Sequence, residues 1–137
     1  MKNLRSIVAA LAVLLMATAA HAQHTKVSAT VPFNFVVGDR TYPAGDYVFS
    51  NNDAVLNITN TEQAKSEMAL SIPCKNAMPS ADTKLVFDSM GGYYFLRQIW
   101  IEGNSHGREL PRSRTEVRLA QNHERAEPVI VAANLSR

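Results

Sequence analysis

A single cysteine, Cys74, stands in the whole chain, so no intramolecular disulfide can staple it. Its apolar neighbours Ile72 and Pro73 point to a thiol buried at a strand end as a small hydrophobe. Metal-ligand spacing is missing as well. Past the first residues the histidines are His24, His106 and His123. None forms an i, i+4 pair or joins a C-x-x-C unit, so no metal site is expected. There is no G-x-S-x-G elbow and no glycine loop of the kind that cradles phosphate. Glu102 and Glu109 read as loop charges, not as the paired carboxylates of glycoside hydrolysis. These absences argue for a protein that is not an enzyme and holds no cofactor. The catalytic alternative is a secreted hydrolase whose residues meet only in the fold, with no motif visible in sequence.

Excess charge is scarce too. Fourteen Lys and Arg face twelve Asp and Glu, and two of the bases, Lys2 and Arg5, sit at the extreme N-terminus. The remainder balances, which leaves no global field to draw the protein onto nucleic acid. Only one long apolar run exists, Ile7 to Ala17, preceded by Lys2 and Arg5 and followed by Ala20-His21-Ala22. That is the secretory pattern: residues 1–22 form a signal peptide cut before Gln23, and the product is exported to the periplasm or the medium. The run is shorter than the roughly 20 apolar residues that span a bilayer. No second run follows, so no transmembrane segment is expected after cleavage, and no cysteine near the cut offers a lipid anchor. Residues 23–137 are then a single β-rich domain, large enough to fold on a hydrophobic core alone.

What the chain does have is alternation. Val27, Ala29, Val31, Phe33, Phe35 and Val37 fall on one face of a long strand, and Phe33 and Phe35 are expected in the core. Pro32 places that strand at an edge or a bulge, because proline gives no ladder hydrogen bond. Gly38-Asp39 supplies a two-residue hairpin turn. Strands follow at Arg40–Tyr42, at Asp46–Ser50 with Tyr47 and Phe49 together, and at Ala54–Thr59 with Leu56 and Ile58 together. Lys65 to Ile72 alternates again, with Met68, Leu70 and Ile72 expected inside and Glu67, Ala69 and Ser71 outside. Residues 73–82 read as loop, and Leu85 and Phe87 mark another strand. Tyr93 to Ile101 is apolar on both faces, as befits a central strand covered twice. Arg97 and Gln98 interrupt it and need partners or a rim. The one helix expected runs from about Arg114 to Asn122, opened by the capping box Ser113-Arg114-Thr115-Glu116 and burying Val117 and Ala120. Pro128–Val131 closes the series as an edge strand. About eight strands at intervals of roughly ten residues predict an all-β domain, a β-sandwich or small barrel, with one short C-terminal helix.

Val31-Pro32-Phe33-Asn34-Phe35-Val36-Val37-Gly38, followed by Pro43-Ala44-Gly45-Asp46-Tyr47, resembles the start of a group of small exported proteins common in acidobacterial genomes. Leu85-Val86-Phe87, Tyr94-Phe95-Leu96 to Trp100, and Gly107 to Ser113 continue the resemblance over nearly all of residues 23–137. It implies export, a bacterial host and a shared fold, and it carries over no catalytic residue.

The segment Glu102 to Arg114 is the candidate functional surface. It reads as a long polar loop that carries His106, Arg108, Arg112 and Arg114 into a capped helix start. Free amides, the positive end of the helix dipole and arginine forks all suit an anion. The expected role is therefore an envelope or extracellular interaction module, meeting an envelope protein or an anionic glycan. The alternative is a small-ligand carrier, if the strands close into a barrel around a cavity.

Overall fold

The computed structural model describes residues 25–136. The leader, the cut before Gln23 and His24 lie outside the described residues. The described residues are all-β with one short helix, in line with the alternation and the capping box. Among these residues twelve strands form in place of about eight, because residues 27–37 divide in two and β-strands also form at 72–75, 106–109 and 134–136, where no separate strand is expected.

The first division is the most instructive. Residues 27–37 do not make one strand. β1 (Lys26–Val31) ends at Pro32, and β2 (Phe35–Val37) begins in the other sheet. Proline leaves the ladder without a donor, and the chain crosses there from one layer to the next. Phe35 is fully buried, whereas Phe33 sits half-buried in the crossing. Its ring stacks on Tyr94 at 3.9 Å and meets Phe87 edge-on at 5.0 Å.

β3 (Arg40–Tyr42) returns along β2 through Gly38-Asp39, with Gly38 at a φ of 60°. β4 (Gly45–Asn52), β5 (Val55–Asn60) and β6 (Lys65–Leu70) form a meander against β1. β7 (Ile72–Lys75) then returns the chain to the second sheet, with residues 73–75 inside the segment expected to be loop. β8 (Lys84–Met90) and β9 (Tyr93–Trp100) make the longest hairpin of that sheet. β10 (His106–Glu109), helix α1 (Arg114–Gln121), β11 (Glu127–Ala132) and β12 (Asn134–Ser136) complete the order.

One sheet runs β12-β1-β4-β5-β6 and the other β11-β8-β9-β10-β7, with β2 and β3 beside β9. Among the described strands neither sheet closes on itself, so the domain has two layers and open edges. The core lies between them. Val27, Val31, Tyr47, Phe49, Leu56 and Ile58 from one layer meet Phe35, Leu85, Phe87, Leu96 and Ile99 from the other. Burying one phenylalanine there is worth roughly 1.5–3 kcal/mol relative to exposure.

β9 is central and covered twice, but its faces switch partway. Val86 pairs with Gln98 and Phe87 with Leu96, so Arg97 is an extra residue bulged from the ladder. Before the bulge Tyr94 and Leu96 face the core; after it Ile99 and Ile101 do. Phe95 points the other way, into a second small core with Val36 and Met90 that α1 covers with Leu119 and Ala120.

The bulged Arg97 ties that helix down. Its Nε donates to Asp88 Oδ2 at 3.1 Å, its Nη1 to the Leu110 carbonyl at 2.9 Å, and its Nη2 to Glu116 Oε1. Ser113 caps the helix as expected, its Oγ accepting from the Glu116 amide at 3.1 Å. The other half of the capping box is different. The Glu116 carboxylate turns to Arg97, because a buried guanidinium requires a counter-charge more than the neutral Ser113 amide requires a carboxylate. Glu116 thus takes the buried face of α1, and Val117, expected inside, is exposed. Gln98 also finds its partner, accepting from Trp100 Nε1 at 3.1 Å.

A further correction concerns β6 and β7. Met68, Leu70 and Ile72 face solvent at 74%, 68% and 54% exposure, while Ser71 is buried and Glu67 and Ala69 are half-covered. Register decides this. Leu56 and Ile58 point into the core, and their partners on β6 are Ala69 and Glu67. Residues opposite each other in a ladder share a face, so Met68 and Leu70 must lie outside.

Candidate functional site

The segment carrying the four candidate residues is not one loop. His106 and Arg108 lie on β10, paired with β9 and β7, whereas Arg112 and Arg114 follow it toward α1. β10 forms because Gly107 lets the strand lie against Trp100: a Cβ there would stand 2.7 Å from the indole and 2.8 Å from the Ile99 carbonyl. The four residues consequently separate into two concavities.

His106 and Arg108 border a cleft of about 430 Å³ at one end of the two layers. Val27, Phe49, Leu56 and Ile99 contribute its apolar floor, and Asn51, Asn52 and Asn104 its polar rim. His106 is exposed, and its backbone amide donates to Asn104 Oδ1 at 2.9 Å. The Nε–Nη2 edge of Arg108 is taken up by the protein itself. Its Nε donates to Ser71 Oγ at 3.1 Å, and its Nη2 reaches the Ser71 carbonyl at 3.1 Å and the Asp53 carbonyl. Ser71 sits buried at the corner between β6 and β7, and Asp53 lies in the β4–β5 turn at a φ of 52°. Arg108 thus braces one layer against the other, which is a structural task.

Arg112 and Arg114 line a second groove, of about 450 Å³, together with Arg40, Met68, Leu70 and Leu110. Arg40 Nη1 pairs with Glu67 Oε2 at 3.1 Å, and Lys65 Nζ holds Glu67 Oε1 at 3.1 Å. Hydrogen bonding from the Tyr42 hydroxyl, then from Lys65 and Arg40, pulls the Glu67 carboxyl down to about 2. Burial, and then the Glu67 carboxylate, push the Tyr42 phenol well above its ordinary range. Glu67 is therefore ionised and engaged. Arg112 and Arg114, both exposed, enter no salt bridge among the described residues. The helix start adds less than its position suggests, since Ser113 already occupies the Glu116 amide.

Two groove features escape a reading of the sequence. Arg40 stands more than seventy residues from Arg112 in a short, nondescript hairpin. The outward Met68 and Leu70 read as core because alternation does not say which face is inside.

Cys74 is half-buried in β7, opposite Gly107. Burial, then the nearby Glu109 charge, raise its thiol above the ordinary value, which keeps it protonated and weakly nucleophilic. Among the described residues no group of three or more His, Cys, Asp or Glu is placed to hold a metal ion. No helix there is long and apolar enough to cross a membrane. Comparisons with protein-family models, with curated proteins and with solved structures find no match to this chain.

Proposed function

We propose that this chain is an exported, non-catalytic interaction module of a bacterial envelope, working in the periplasm or outside the cell, and that its groove at Arg40, Arg112 and Arg114 meets an anionic partner. The observation that carries the reading is the pair of exposed arginines, Arg112 and Arg114, which enter no salt bridge among the described residues, in a groove where the other charged residues are Asp39 and the Glu67-paired Arg40. Two guanidinium groups with open donors on one groove suit an anion, which accepts bidentate hydrogen bonds from them. The secretory pattern of residues 1–22 and the resemblance at Val31–Gly38 support export and a bacterial host. His106 and Arg108 leave the anion site: both border the other cleft, and the Nε and Nη2 of Arg108 are held by Ser71 and Asp53.

The reading is tested by titrating a fluorescent poly-glutamate against the protein, the double variant Arg112→Gln/Arg114→Gln, and the charge-matched control Arg118→Gln/Arg125→Gln. Salt-sensitive binding that the first pair abolishes and the control retains is the expected result. Equal losses in both variants would reduce the groove to a general charge effect and overturn it.

A further inference from the structure

β6 is the last strand of its sheet, and its outer edge meets no other strand among the described residues. The pairing with β5 says which backbone groups are open there. The Ser71 amide donates to the Ala54 carbonyl at 2.8 Å, and these two residues continue the β5–β6 register. Because antiparallel pairs alternate, Ala69 and Glu67 direct their N–H and C=O groups to β5. Those of Ser66, Met68 and Leu70 then point away from the sheet, toward the groove that Arg112 and Arg114 line from the far side.

Soluble proteins blunt such edges with inward charges, lysine, proline or a bulge. β6 has an inward charge in Glu67, but that carboxylate is neutralised by Arg40 and Lys65. Its far half carries Met68 and Leu70 in the open. Open amides, outward apolar side chains and a wall of arginines occur together at this one edge. Each belongs to a different part of an extended peptide.

We infer that the groove takes an extended acidic peptide segment of a partner protein, which adds to β6 as a further strand. Its backbone completes the ladder at Ser66, Met68 and Leu70. Its carboxylates, on the face turned to the groove, meet Arg40, Arg112 and Arg114. Its alternate apolar side chains lie beside Met68 and Leu70 on the solvent side, since side chains of a strand point to opposite faces in turn. Charge complementarity selects the acidic register, and main-chain pairing supplies affinity that a diffuse polyanion cannot match. This rests on the anionic-partner reading above and adds the chemical class of the partner.

The experiment uses the purified protein and a short peptide of alternating Glu and Val, unmodified or N-methylated on alternate amides so that one edge cannot pair. Binding of the unmodified peptide, weakened about tenfold or more by N-methylation, is the expected result, as is protection of the Met68 and Leu70 amides from hydrogen exchange. Met68→Pro, which removes an outward amide and leaves the β5 ladder its donors, weakens the same peptide by a similar factor. Equal affinity for the N-methylated peptide overturns strand addition and leaves the anionic groove standing. A heparin fragment that binds through Arg112 and Arg114 while neither peptide binds overturns the peptide class in the same way. Failure of every anion to bind overturns both this inference and the reading it rests on.

Discussion

β9 and β6 are both strands of alternating character, and they break the rule of apolar inside and polar outside in opposite ways. In β9 a charged residue, Arg97, is buried at 9% exposure at the centre of a sheet. In β6 two large apolar residues stand in water at its edge. The difference lies in what surrounds each strand. β9 has neighbours on both sides and cover on both faces, so every group on it must be satisfied by protein, and Arg97 has three oxygen partners arranged around it, on Asp88, Leu110 and Glu116. Among the described residues β6 has one neighbouring strand and one covered face, so nothing there demands that its outer side be apolar or polar. A central strand is constrained by packing; an edge strand is free to be shaped by use.

The largest expected effect breaks the β9 side of this comparison. Glu116→Ala leaves the Arg97 guanidinium short of its counter-charge in a buried site and releases α1 from the sheet. Removing one partner of a buried ion pair costs about 3–5 kcal/mol. Urea denaturation should show a loss of that size, together with exposure of Phe95 and Met90, whose cover includes Leu119 and Ala120. A loss confined to a few tenths would mean that the network is incidental and that the bulge at Arg97 is held by backbone pairing alone.

A smaller effect probes the hinge between the two regions, where Glu67 links β6 to β3. Its carboxyl ionises at about 2 in the folded protein, below its ordinary value. A carboxylate depressed in this way adds stability above its unfolded pKa and loses that contribution as pH falls through about 2. The melting temperature should therefore decline between about pH 5 and pH 2, and Glu67→Gln should flatten that decline while leaving stability at neutral pH lower than wild type. An unchanged acid limb in the variant would assign the decline to other carboxylates.

The smallest expected effect is the sharpest contrast with β9. Met68→Ser/Leu70→Ser replaces two large hydrophobes, and in a core that would be ruinous. At 74% and 68% exposure each substitution should stay within about ±0.5 kcal/mol of wild-type stability. Thermal melts of the double variant test this directly. A large loss would return both residues to the interior and invert the β6 register.

Much of the architecture was readable from pattern because local rules and tertiary packing agree there. Tyr47 with Phe49, and Leu56 with Ile58, are buried in pairs as their spacing implies, and Ser113 caps the helix where the capping box places it. The reading fails at particular residues for particular reasons. Pro32 announces an irregularity, but not that the chain would leave one sheet for the other. Arg97 and Gln98 announce a need for partners, but not that a one-residue bulge would exchange the faces of β9. Of the four candidate residues, His106 and Arg108 part from Arg112 and Arg114 because Gly107, flat against Trp100, turns an expected loop into a strand. Arg40 enters the groove through a hairpin that the sequence places far away.

By itself, then, the sequence determined the period of the longer strands, most of the turn residues, the helix start and the balance of charge, all of which are set within a few residues by backbone geometry and side-chain chemistry. The tertiary structure alone decided which face of β6 is wet, which arginines stand free, and which edge is left open. Those are questions of what lies opposite a residue. Two faces of a strand differ only by a half-turn of the backbone, and the choice between them is made by the neighbour across the ladder: Ala69 and Glu67 follow Leu56 and Ile58 inward, and Met68 and Leu70 are carried outward to the edge.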